Sequence, residues 1–481
     1  MSKYMIAHGA LMTVDKNDTM IADGAVVIAG DRIEKVGTFQ EISSQYPDYE
    51  VIDATGMVVM PGFVNTHTHL SMTMTRSIAD DIDAFKWLPV IWAVEKNISE
   101  ESVYAGAMLG IAEMIASGTT CFNDHYFMMG NVAKAVDKTG IRADLAEAIL
   151  ENRNRKKGQE GLRKNKEFTE EWHGRANGRI RARIGPHALY TCSTDLVVQA
   201  RQLANELGVG MHMHVAESAL EMKLVGKKAA GETSVQHLHA LDILGPDFVI
   251  AHGLTINEKD IEILASIGTG ISHCPQAYGK VGGWPFPPVD EWIEAGINVG
   301  LGSDGVASNN NMDMIDEMRT ATFTRKLFAR DGRVLPARQV IRMATQMGAD
   351  VLGLGDEIGS LEEGKKADII LVDFRKPHLR PYHNIPGHLV YSASGADVDT
   401  VIVDGQVLMK NRQFLTLDID DVLDQADFEF NNLLRKARWE PTIEDPRQSL
   451  VASLGLKLTQ QSVRVMSILA GESEPEEEEL L

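Results

Sequence analysis

The chain has 481 residues, of which 44% are hydrophobic, and a formal net charge of −21. A chain of this length can bury a full core and suits one large α/β barrel with an accessory layer. The negative charge argues against nucleic acid and anionic membranes as partners, because both attract clustered lysine and arginine.

The first sixty residues read as short strands separated by turns. The segments YMIAHGALMTV, AVVIAGDRIEKVG and EVIDATGMVVM have Gly and Asp at their breaks. Strand-like sequence returns late in the chain, in ADIILVDF and VDTVIVDGQVLMKNRQF. We predict that residues 1–58 and 366–415 form a small β-sandwich, with the rest of the fold inserted between them.

Between these segments, short apolar runs alternate with stretches of helical period, which is typical of βα units. Eight such runs occur: VVMPGFVNTH, TTCFND, RADLAEAI, RIRARIGPH, GVGMHMHVAE, FVIAHGL, TGISHC and NVGLGSD. Eight is the strand number of the TIM barrel. The sequence therefore predicts an α/β fold with a (β/α)8 TIM-type barrel over residues 59–365. A helical segment over 416–470 and a disordered acidic tail over 471–481 would follow.

Cysteine usage and the N-terminal residues bear on the compartment. Cys121, Cys192 and Cys274 are far apart and form no CxxC pair, so we expect neither a disulfide framework nor a zinc–thiolate site. The first twenty residues lack a basic start followed by an apolar block, and no apolar run is long enough for a bilayer. We therefore expect a cytoplasmic protein.

Polar residues gather at the C-terminal ends of the eight runs, where barrel enzymes build their active sites. The residues at these ends are His67, His69, His187, His214, Glu217, His252 and Asp304. One histidine at a strand end is usually a core residue. A set that converges from several strands indicates a shared site.

The first run, PGFVNTHTHL, supplies a metal-binding spacing. His67 and His69 are two residues apart, so their side chains point to the same face of a strand, about 7 Å apart along it. A third histidine and a carboxylate from other strands would complete a shell that suits catalytic zinc and that iron(II) tolerates. Water bound to such a metal ionises near pH 7, which provides a hydroxide nucleophile.

In the fifth run, HMHVAE, two histidines compete for the position of third ligand, because His212 and His214 share a face. His214 is nearer the mouth of the barrel, so we assign His214 as the ligand and His212 as a core histidine. Glu217 follows where the chain turns off the strand, and its carboxylate can reach bound water.

Taken together, PGFVNTHTHL, HVAES, AHG, SHCP and LGSDGVASNNNMDMIDEMR resemble the amidohydrolase superfamily over nearly the whole chain. The likeness is closest to the branch of cytosine deaminase, methylthioadenosine/S-adenosylhomocysteine deaminase and the triazine hydrolases. IWAVE, FNDHYF and GPHALYTCS resemble the adenosine-type deaminases in particular. HxH alone is a weak motif, but HxH, HxxE, AHG and SDG in this order are specific.

The resemblance implies a mononuclear metal centre with defined roles around it. The implied ligands are His67, His69, His214 and Asp304. Binuclear relatives carry a lysine on the fourth strand, which RIRARIGPHALYTC lacks. Glu217 would pass a proton to the substrate, His252 would orient the attacking hydroxide, and Asp304 would accept the proton of the water. A glutamate at this position favours a nitrogen leaving group, which must be protonated to depart.

The resemblance, and the positions of other residues near strand ends, suggest contacts with the substrate. Glu95 in IWAVE matches a position that contacts ribose hydroxyls in adenosine-type deaminases, with a surface helix carboxylate as the alternative. His187 matches a purine contact, and His125 could hydrogen-bond the substrate. Ser308 could line the pocket or cap the next helix. Aromatic side chains near strand ends could stack on a flat ring: Trp87, Trp92, Tyr126, Tyr278 and Trp284.

Two departures from an adenosine deaminase concern the pocket wall. SHCPQAYGKVGGW replaces the usual SHNPxSNLKL, which puts Ala277 and Tyr278 where relatives carry a Ser–Asn pair. Glu147 stands where carboxylate-binding relatives carry an arginine, so it would repel S-adenosylhomocysteine and suit a neutral or cationic substrate. Alternatively, Glu147 pairs with a basic residue such as Arg153 or Arg155.

These observations predict a metal-dependent hydrolase of carbon–nitrogen bonds other than peptide bonds, with one divalent metal, zinc or iron. Metal-bound hydroxide would attack an electron-poor carbon of a heteroaromatic amine of the purine, pterin, pyrimidine or triazine type, and ammonia or an amine would leave. An acyclic guanidine or urea compound such as guanylurea is the alternative substrate, and a non-catalytic scaffold is the alternative class. We expect a small-molecule substrate, no nucleic-acid or membrane partner, and a homodimer or homotetramer.

Overall fold

A computed structural model describes residues 3–81, 84–218, 221–223, 225, 232–282 and 286–438 of the protein. Within these ranges the strands form two nine-stranded sheets. The strands are β1 Lys3–Met12, β2 Met20–Ala29, β3 Arg32–Thr38, β4 Glu50–Asp53, β5 Met57–Pro61, β6 Phe63–His69, β7 Thr119–Tyr126, β8 Arg142–Ile149, β9 Ile180–Pro186, β10 Gly210–Val215, β11 Phe248–His252, β12 Gly270–His273, β13 Val299–Leu301, β14 Asp304–Gly305, β15 Ile369–Asp373, β16 Val398–Val403, β17 Gln406–Lys410 and β18 Gln413–Phe414.

Helices fill the connections between the barrel strands and extend beyond them. They are α1 Phe39–Ile42, α2 Ala84–Glu95, α3 Glu100–Ala116, α4 Met129–Thr139, α5 Arg155–Trp172, α6 Thr194–Leu207, α7 Ser234–Ala240, α8 Glu258–Ile267, α9 Pro275–Val281, α10 Val289–Glu294, α11 Val306–Asn309, α12 Met314–Ala329, α13 Ala337–Met343, α14 Gln346–Val351, α15 Ile385–Tyr391 and α16 Ile419–Ala437. No helix in the described ranges has the length and apolar character that crossing a bilayer requires.

The barrel sheet contains β6 to β14 in the order β13-β12-β11-β10-β9-β8-β7-β6-β14. The pairs along it are parallel, and β14 follows β13 after a break of two residues. In the closing pair, Asp304 lies opposite Thr68 and Gly305 lies opposite His69. Counting β13 and β14 as one position, the barrel has eight strands. The predicted (β/α)8 fold is therefore confirmed, and the closure brings the ends of the first and eighth strands together.

The barrel strands are apolar and buried because helices cover the outer surface of the sheet. All eight residues of β7 are buried, including the polar side chains Asn123, Asp124 and His125. Such continuous burial explains why these strands read as short apolar runs and not as alternating patterns. The three polar side chains each make a hydrogen bond: Asn123 donates to the carbonyl of Thr66, Asp124 accepts from the backbone N–H of Leu70, and His125 Nε2 lies 3.1 Å from the carbonyl of Gly185.

The accessory sheet joins the two ends of the chain. It has the order β18-β17-β16-β15-β5-β1-β2-β3, with β4 paired to β1. The N- and C-terminal segments meet where β5 runs antiparallel to β15, with Met60 opposite Ile370. This pairing of early and late strands agrees with the expectation from sequence, and it takes the form of one mixed sheet.

A buried ion-pair network fixes the barrel on the accessory sheet. Arg142, the first residue of β8, donates from Nε to Asp368 Oδ2 at 2.9 Å and from Nη2 to Asp404 Oδ1 at 2.9 Å. Asp368 also accepts the backbone N–H of Asp404 at 2.8 Å. The guanidinium is therefore paired and hydrogen-bonded, as a buried charge must be. The network lies at the N-terminal end of the barrel, away from the mouth.

The predicted C-terminal helical segment is described in part. α16 packs against α3 and α2, and its N-terminus is capped by Asp418, whose side chain accepts from Asp420 N and Asp421 N. Residues 439–470 and the predicted acidic tail over 471–481 lie outside the described residues.

Candidate metal centre and active site

Five side chains predicted from sequence meet at the C-terminal mouth of the barrel. They are His67 and His69 on β6, His214 on β10, His252 on β11 and Asp304 on β14. The candidate ligand atoms of His67, His69 and His214 lie within 4.8 Å of one another, and so do those of His67, His252 and Asp304. Four strands that are far apart in sequence thus supply one compact cluster.

The Nε2 atoms face a common point. His214 Nε2 lies 3.3 Å from His69 Nε2. Asp304 Oδ1 lies 3.5 Å from His67 Nε2 and 3.3 Å from His69 Nε2. The buried His67 Nε2 makes no hydrogen bond. Such an orphaned nitrogen is costly unless it has a partner, and nitrogen and carboxylate donors converging in this way fit a divalent metal such as zinc or iron.

The opposite ring nitrogens of two of these histidines are held by backbone carbonyls. His69 Nδ1 lies 2.6 Å from the carbonyl oxygen of His125, and His214 Nδ1 lies 3.0 Å from that of His187. A carbonyl can only accept, so each Nδ1 carries a proton and each Nε2 is the nitrogen that remains to bind a metal. Both rings are therefore fixed in the tautomer that can bind a metal.

His67 has a different partner, which sequence reasoning did not identify. Its Nδ1 lies 2.9 Å from Nε2 of His212, which is fully buried one step deeper on β10 than His214. Burial lowers the pKa of His67 and lowers that of His212 well below its ordinary value, so both rings are neutral. His212 is thus a core histidine, as assigned, but one that contacts a candidate ligand. The HMH alternation already placed it on the correct face.

The electrostatics of the cluster favour a bound positive charge. Burial alone would raise the pKa of Asp304, but its contacts with His67 and His69 outweigh burial and hold that pKa well below its ordinary value. Burial likewise lowers the pKa of His69, yet the adjacent Asp304 carboxylate raises it overall to about 9. Without a cation, His69 Nε2 would therefore carry a proton toward Asp304, and a bound metal would take the place of that proton. An ionised carboxylate in a buried histidine cluster calls for a cation.

Asp304 and His252 have unusual backbone conformations, and Ser308 also holds the Asp304 side chain. Their φ angles are +56° and +79°, a region that residues other than glycine rarely adopt. Ser308 Oγ donates to Asp304 Oδ2 at 3.0 Å and to the carbonyl of Gly305 at 2.8 Å. This leaves Oδ1 facing the histidines. Ser308 lies within α11, whose N-cap is Gly305, and the next helix, α12, has Asp313 as its N-cap, so the helix-cap alternative is wrong.

Comparison with known proteins decides the family. Residues 58–408 match the amidohydrolase family, and residues 24–48 match a bacterial imidazolonepropionase-like composite domain. The chain belongs to the amidohydrolase family. This membership, together with the deaminase relatives below, confirms the predicted class, a hydrolase that acts on carbon–nitrogen bonds.

Relatives of this amidohydrolase with established names are similar over nearly their whole length. It is 43% identical to the 5′-deoxyadenosine deaminase of Methanosarcina mazei, over 89% of this chain and 97% of the relative. It is 44% identical to the 5-methylthioadenosine/S-adenosylhomocysteine deaminase of Pelotomaculum thermopropionicum, over 89% of this chain and 98% of the relative.

Solved structures support the same fold. A Xanthomonas campestris adenosine deaminase with bound zinc superposes with a TM-score of 0.85 at 29% identity, covering 90% of this chain and 99% of that one. A triazine hydrolase superposes with a TM-score of 0.83 at 22% identity, covering 89% and 100%. The latter likeness concerns the fold alone.

Glu217 of the amidohydrolase stands just beyond β10 and is held by its neighbours. Its Oε2 accepts from the hydroxyl of Tyr190 at 3.2 Å, and its backbone N–H donates to Glu221 Oε2 at 2.7 Å. Burial, followed by the charges of Glu221 and Asp304, raises the pKa of Glu217 to about 8. The carboxyl is therefore protonated at neutral pH, which suits a group that must donate a proton.

Glu95 faces inward at the end of α2. It is buried and accepts from the hydroxyl of Tyr126, and burial raises its pKa to about 7. The alternative of a surface helix carboxylate is therefore wrong. Trp92, one turn earlier, is 39% exposed, and Trp284 lies outside the described residues.

Glu147 supports the start of a helix, a contact that the sequence did not predict. Its Oε1 accepts from the backbone N–H of Met128 at 3.2 Å and its Oε2 from that of Met129 at 2.7 Å. The carboxylate thus holds the first turn of α4, where an acidic group is favoured. Arg155, one of the two proposed partners, lies 3.8 Å from Asp195 instead.

The other predicted contact residues lie around the cluster at different depths. The half-buried His187 has its ring 4.7 Å from that of His214, and its Nδ1 lies 3.0 Å from Thr191 Oγ1. His125 is buried, with Nε2 3.1 Å from the carbonyl of Gly185. Tyr278 is buried, with its ring 5.8 Å from that of His252. His187 is the nearest of the three rings to a candidate ligand.

Proposed function

We propose that this amidohydrolase is a metal-dependent deaminase of adenosine analogues that carry a small substituent at the 5′ carbon. The observation that carries the proposal is the cluster of His67, His69, His214 and Asp304, close enough to Glu217 for the charges of Asp304 and His69 to act on its buried carboxyl. Full-length likeness to enzymes named 5′-deoxyadenosine deaminase supports the purine class over guanylurea. The retained ligands and acid argue against a scaffold.

One divalent cation, with zinc as our choice, would be held by Nε2 of His67, His69 and His214 and by Asp304 Oδ1. When bound, such a cation supplies the positive charge that makes water a nucleophile near neutral pH. The three histidines present lone pairs and Asp304 presents a carboxylate, so the protein contributes one negative charge against two positive ones. The excess positive charge favours attack by water.

Proton transfer falls to the chain's own residues. Asp304 is ionised and can accept the proton that the attacking water gives up. Glu217 holds a proton and can place it on a ring nitrogen of the purine, which makes the ring carbon electron-poor. The proton that Asp304 takes from the water can then pass to the departing amine, and the hydroxyl left on the ring carbon can return a proton to Glu217 as the ring carbonyl forms. Burial lowers the pKa of His252 to about 3, so its neutral ring can orient the water as a hydrogen-bond partner.

Recognition of the nucleoside would involve Glu95 and His187. Glu95 is buried, with the Tyr126 hydroxyl bonded to Oε1, which leaves Oε2 to accept from ribose hydroxyls. Burial, then the nearby His69 and His67, lowers the pKa of His187 to about 3, so its ring is neutral beside the uncharged purine. His125, Tyr278 and Ser308 are buried against His214, His252 and Asp304 respectively, and would shape the pocket.

A substrate panel tests the proposal. Purified protein is supplied with 5′-deoxyadenosine, 5′-methylthioadenosine, S-adenosylhomocysteine and guanylurea, and released ammonia is measured. We expect release from the two nucleosides with small neutral 5′ groups. Ammonia release from guanylurea alone would replace the purine class by the acyclic alternative. No ammonia release from any of the four compounds after zinc or iron loading would favour a non-catalytic scaffold.

We also propose that the protein works in the cytoplasm on small molecules, without nucleic-acid or membrane partners, as a homodimer or homotetramer. The net charge of −21 supports the first part, since acidic surfaces repel both polyanions. Light scattering of the purified protein gives the oligomeric state directly, and a monomer would contradict the second part.

His212→Leu is expected to weaken metal binding about 10-fold or more, because an acceptor behind a ligating histidine orients it and raises its basicity. His212→Gln is the matched control, since its amide oxygen can accept from His67 Nδ1 in the same place. Competition with a chelator measures the affinity without reference to activity. Equal affinity of the Leu variant and the natural protein would show that His67 needs no such partner.

A further inference from the structure

Glu221 holds the turn that contains Glu217 by accepting hydrogen bonds from its backbone. Glu221 is 1% exposed, and its Oε1 accepts from Ala216 N at 3.0 Å while its Oε2 accepts from Glu217 N at 2.7 Å. Ser234 Oγ, on α7, donates to Oε1 at 2.6 Å. Burial raises the pKa of Glu221 overall, but all three partners are donors, which lower that pKa and favour the ionised carboxylate.

The turn that Glu221 holds has a strained backbone at Ala216. Ala216 has a φ of +56°, which a residue with a side chain rarely adopts. On its other side, the carbonyl of Ala216 accepts from Thr255 N at 2.9 Å and from Thr255 Oγ1 at 3.0 Å. A turn fixed from both sides keeps Glu217 at a set distance from the metal ligands. Nothing else among the described contacts of Glu221 requires a buried carboxylate here.

Tyr190 fixes the carboxyl group itself. Its hydroxyl donates to Oε2 of Glu217 at 3.2 Å. In a neutral carboxyl group the carbonyl oxygen is the stronger acceptor, so this bond favours Oε2 as the carbonyl and leaves the proton on Oε1. Oε1 is the oxygen that remains for the substrate.

We propose that Glu221 and Tyr190 are positioning residues for proton donation by Glu217: Glu221 sets the turn, and Tyr190 directs the acidic proton to Oε1. The proposal rests on the proposed function for its catalytic meaning. The geometric part, that Glu221 holds the backbone of Glu217 and Tyr190 holds its carboxyl group, can be tested without any substrate.

Glu221 and Tyr190 should shift the pKa of Glu217 in opposite directions. After burial, the charges of Glu221 and Asp304 raise the pKa of Glu217, whereas the Tyr190 hydrogen bond and the nearby His69 lower it. Removing the Glu221 charge should therefore lower that pKa, and removing the Tyr190 hydroxyl should raise it further. A purely structural role for either residue would not produce this opposition.

The test uses Glu221→Gln and Tyr190→Phe in the metal-loaded protein. The infrared carboxyl band that disappears in Glu217→Gln identifies the Glu217 proton, and its titration is followed against pH. We expect the midpoint to move to lower pH in Glu221→Gln and to higher pH in Tyr190→Phe, with metal content unchanged. Ser234→Ala leaves both backbone hydrogen bonds of Glu221 in place but removes a bond that favours its charge, so the titration midpoint of Glu217 should move to slightly lower pH. This variant replaces Glu221→Gln if the latter fails to fold.

Kinetics with any accepted substrate provide the second readout. We expect kcat to fall about 10- to 100-fold in Glu221→Gln, because displacing a catalytic group by about 1 Å has that effect, and about 5- to 10-fold in Tyr190→Phe. The alkaline limb of kcat should move as the infrared midpoint does. Midpoints that stay fixed or move together would overturn the proposal, whereas the absence of any accepted substrate would overturn only the proposed function.

Discussion

Glu217→Gln is expected to lower kcat by at least about 100-fold, the usual effect of losing a general acid–base group, while metal content stays at the level of the natural protein. Gln has the size of Glu and can still accept from the Tyr190 hydroxyl. It cannot release a proton to the substrate. Steady-state kinetics on the accepted nucleoside and elemental analysis of the same sample measure the two quantities together.

Glu160→Gln is the matched control for this variant. Glu160 is exposed on α5 and pairs with Arg163, so the same chemical change there should leave both quantities within error. If Glu217→Gln turned over at the natural rate, the proton would have to travel by another route. Loss of metal in Glu217→Gln would instead mean that the carboxyl supports the ligands.

Asp304→Asn should lower activity more than Glu217→Gln does, because it removes a ligand charge and the acceptor of the water proton together. We expect kcat/KM to fall by about 1,000-fold or more. Metal affinity should fall by more than the roughly 10- to 100-fold that follows loss of a group behind a ligand. Chelator competition and kcat/KM at saturating metal separate the two contributions.

Asp195→Asn controls for the loss of one negative charge, since the side chain of Asp195 is 79% exposed. It should change neither affinity nor rate. Were Asp304→Asn to bind a full equivalent of metal and retain its rate, the carboxylate that lies between His67 and His69 would have no part in the chemistry, and the proposed centre would lose its only anionic ligand.

Much of the barrel could be predicted because its pattern is local. Each strand is a short apolar run that ends in a polar residue, and each ending marks the mouth. His67, His69, His214, His252 and Asp304 were all found in this way, and the structure brings them together. The spacing of two in HTH placed both imidazoles on one face before any partner strand was known.

The supporting contacts could not be predicted because they join distant residues through geometry that no motif encodes. His212 meets His67 across 145 positions, and Glu221 reaches Ser234 and two backbone N–H groups at once. Ser308 turned out to direct Asp304, and Glu147 to hold a helix start. In each case the residue type suggested a polar role, but only the folded chain identified the partner.

Anomalous scattering from crystals grown with metal-replete protein most directly tests the central claim, that four side chains share one cation. Data collected on either side of the zinc and iron absorption edges locate and identify the ion. We predict a single peak within bonding distance of Nε2 of His67, His69 and His214 and of Asp304 Oδ1. A peak elsewhere, two peaks, or none in a protein that is nevertheless active would contradict it.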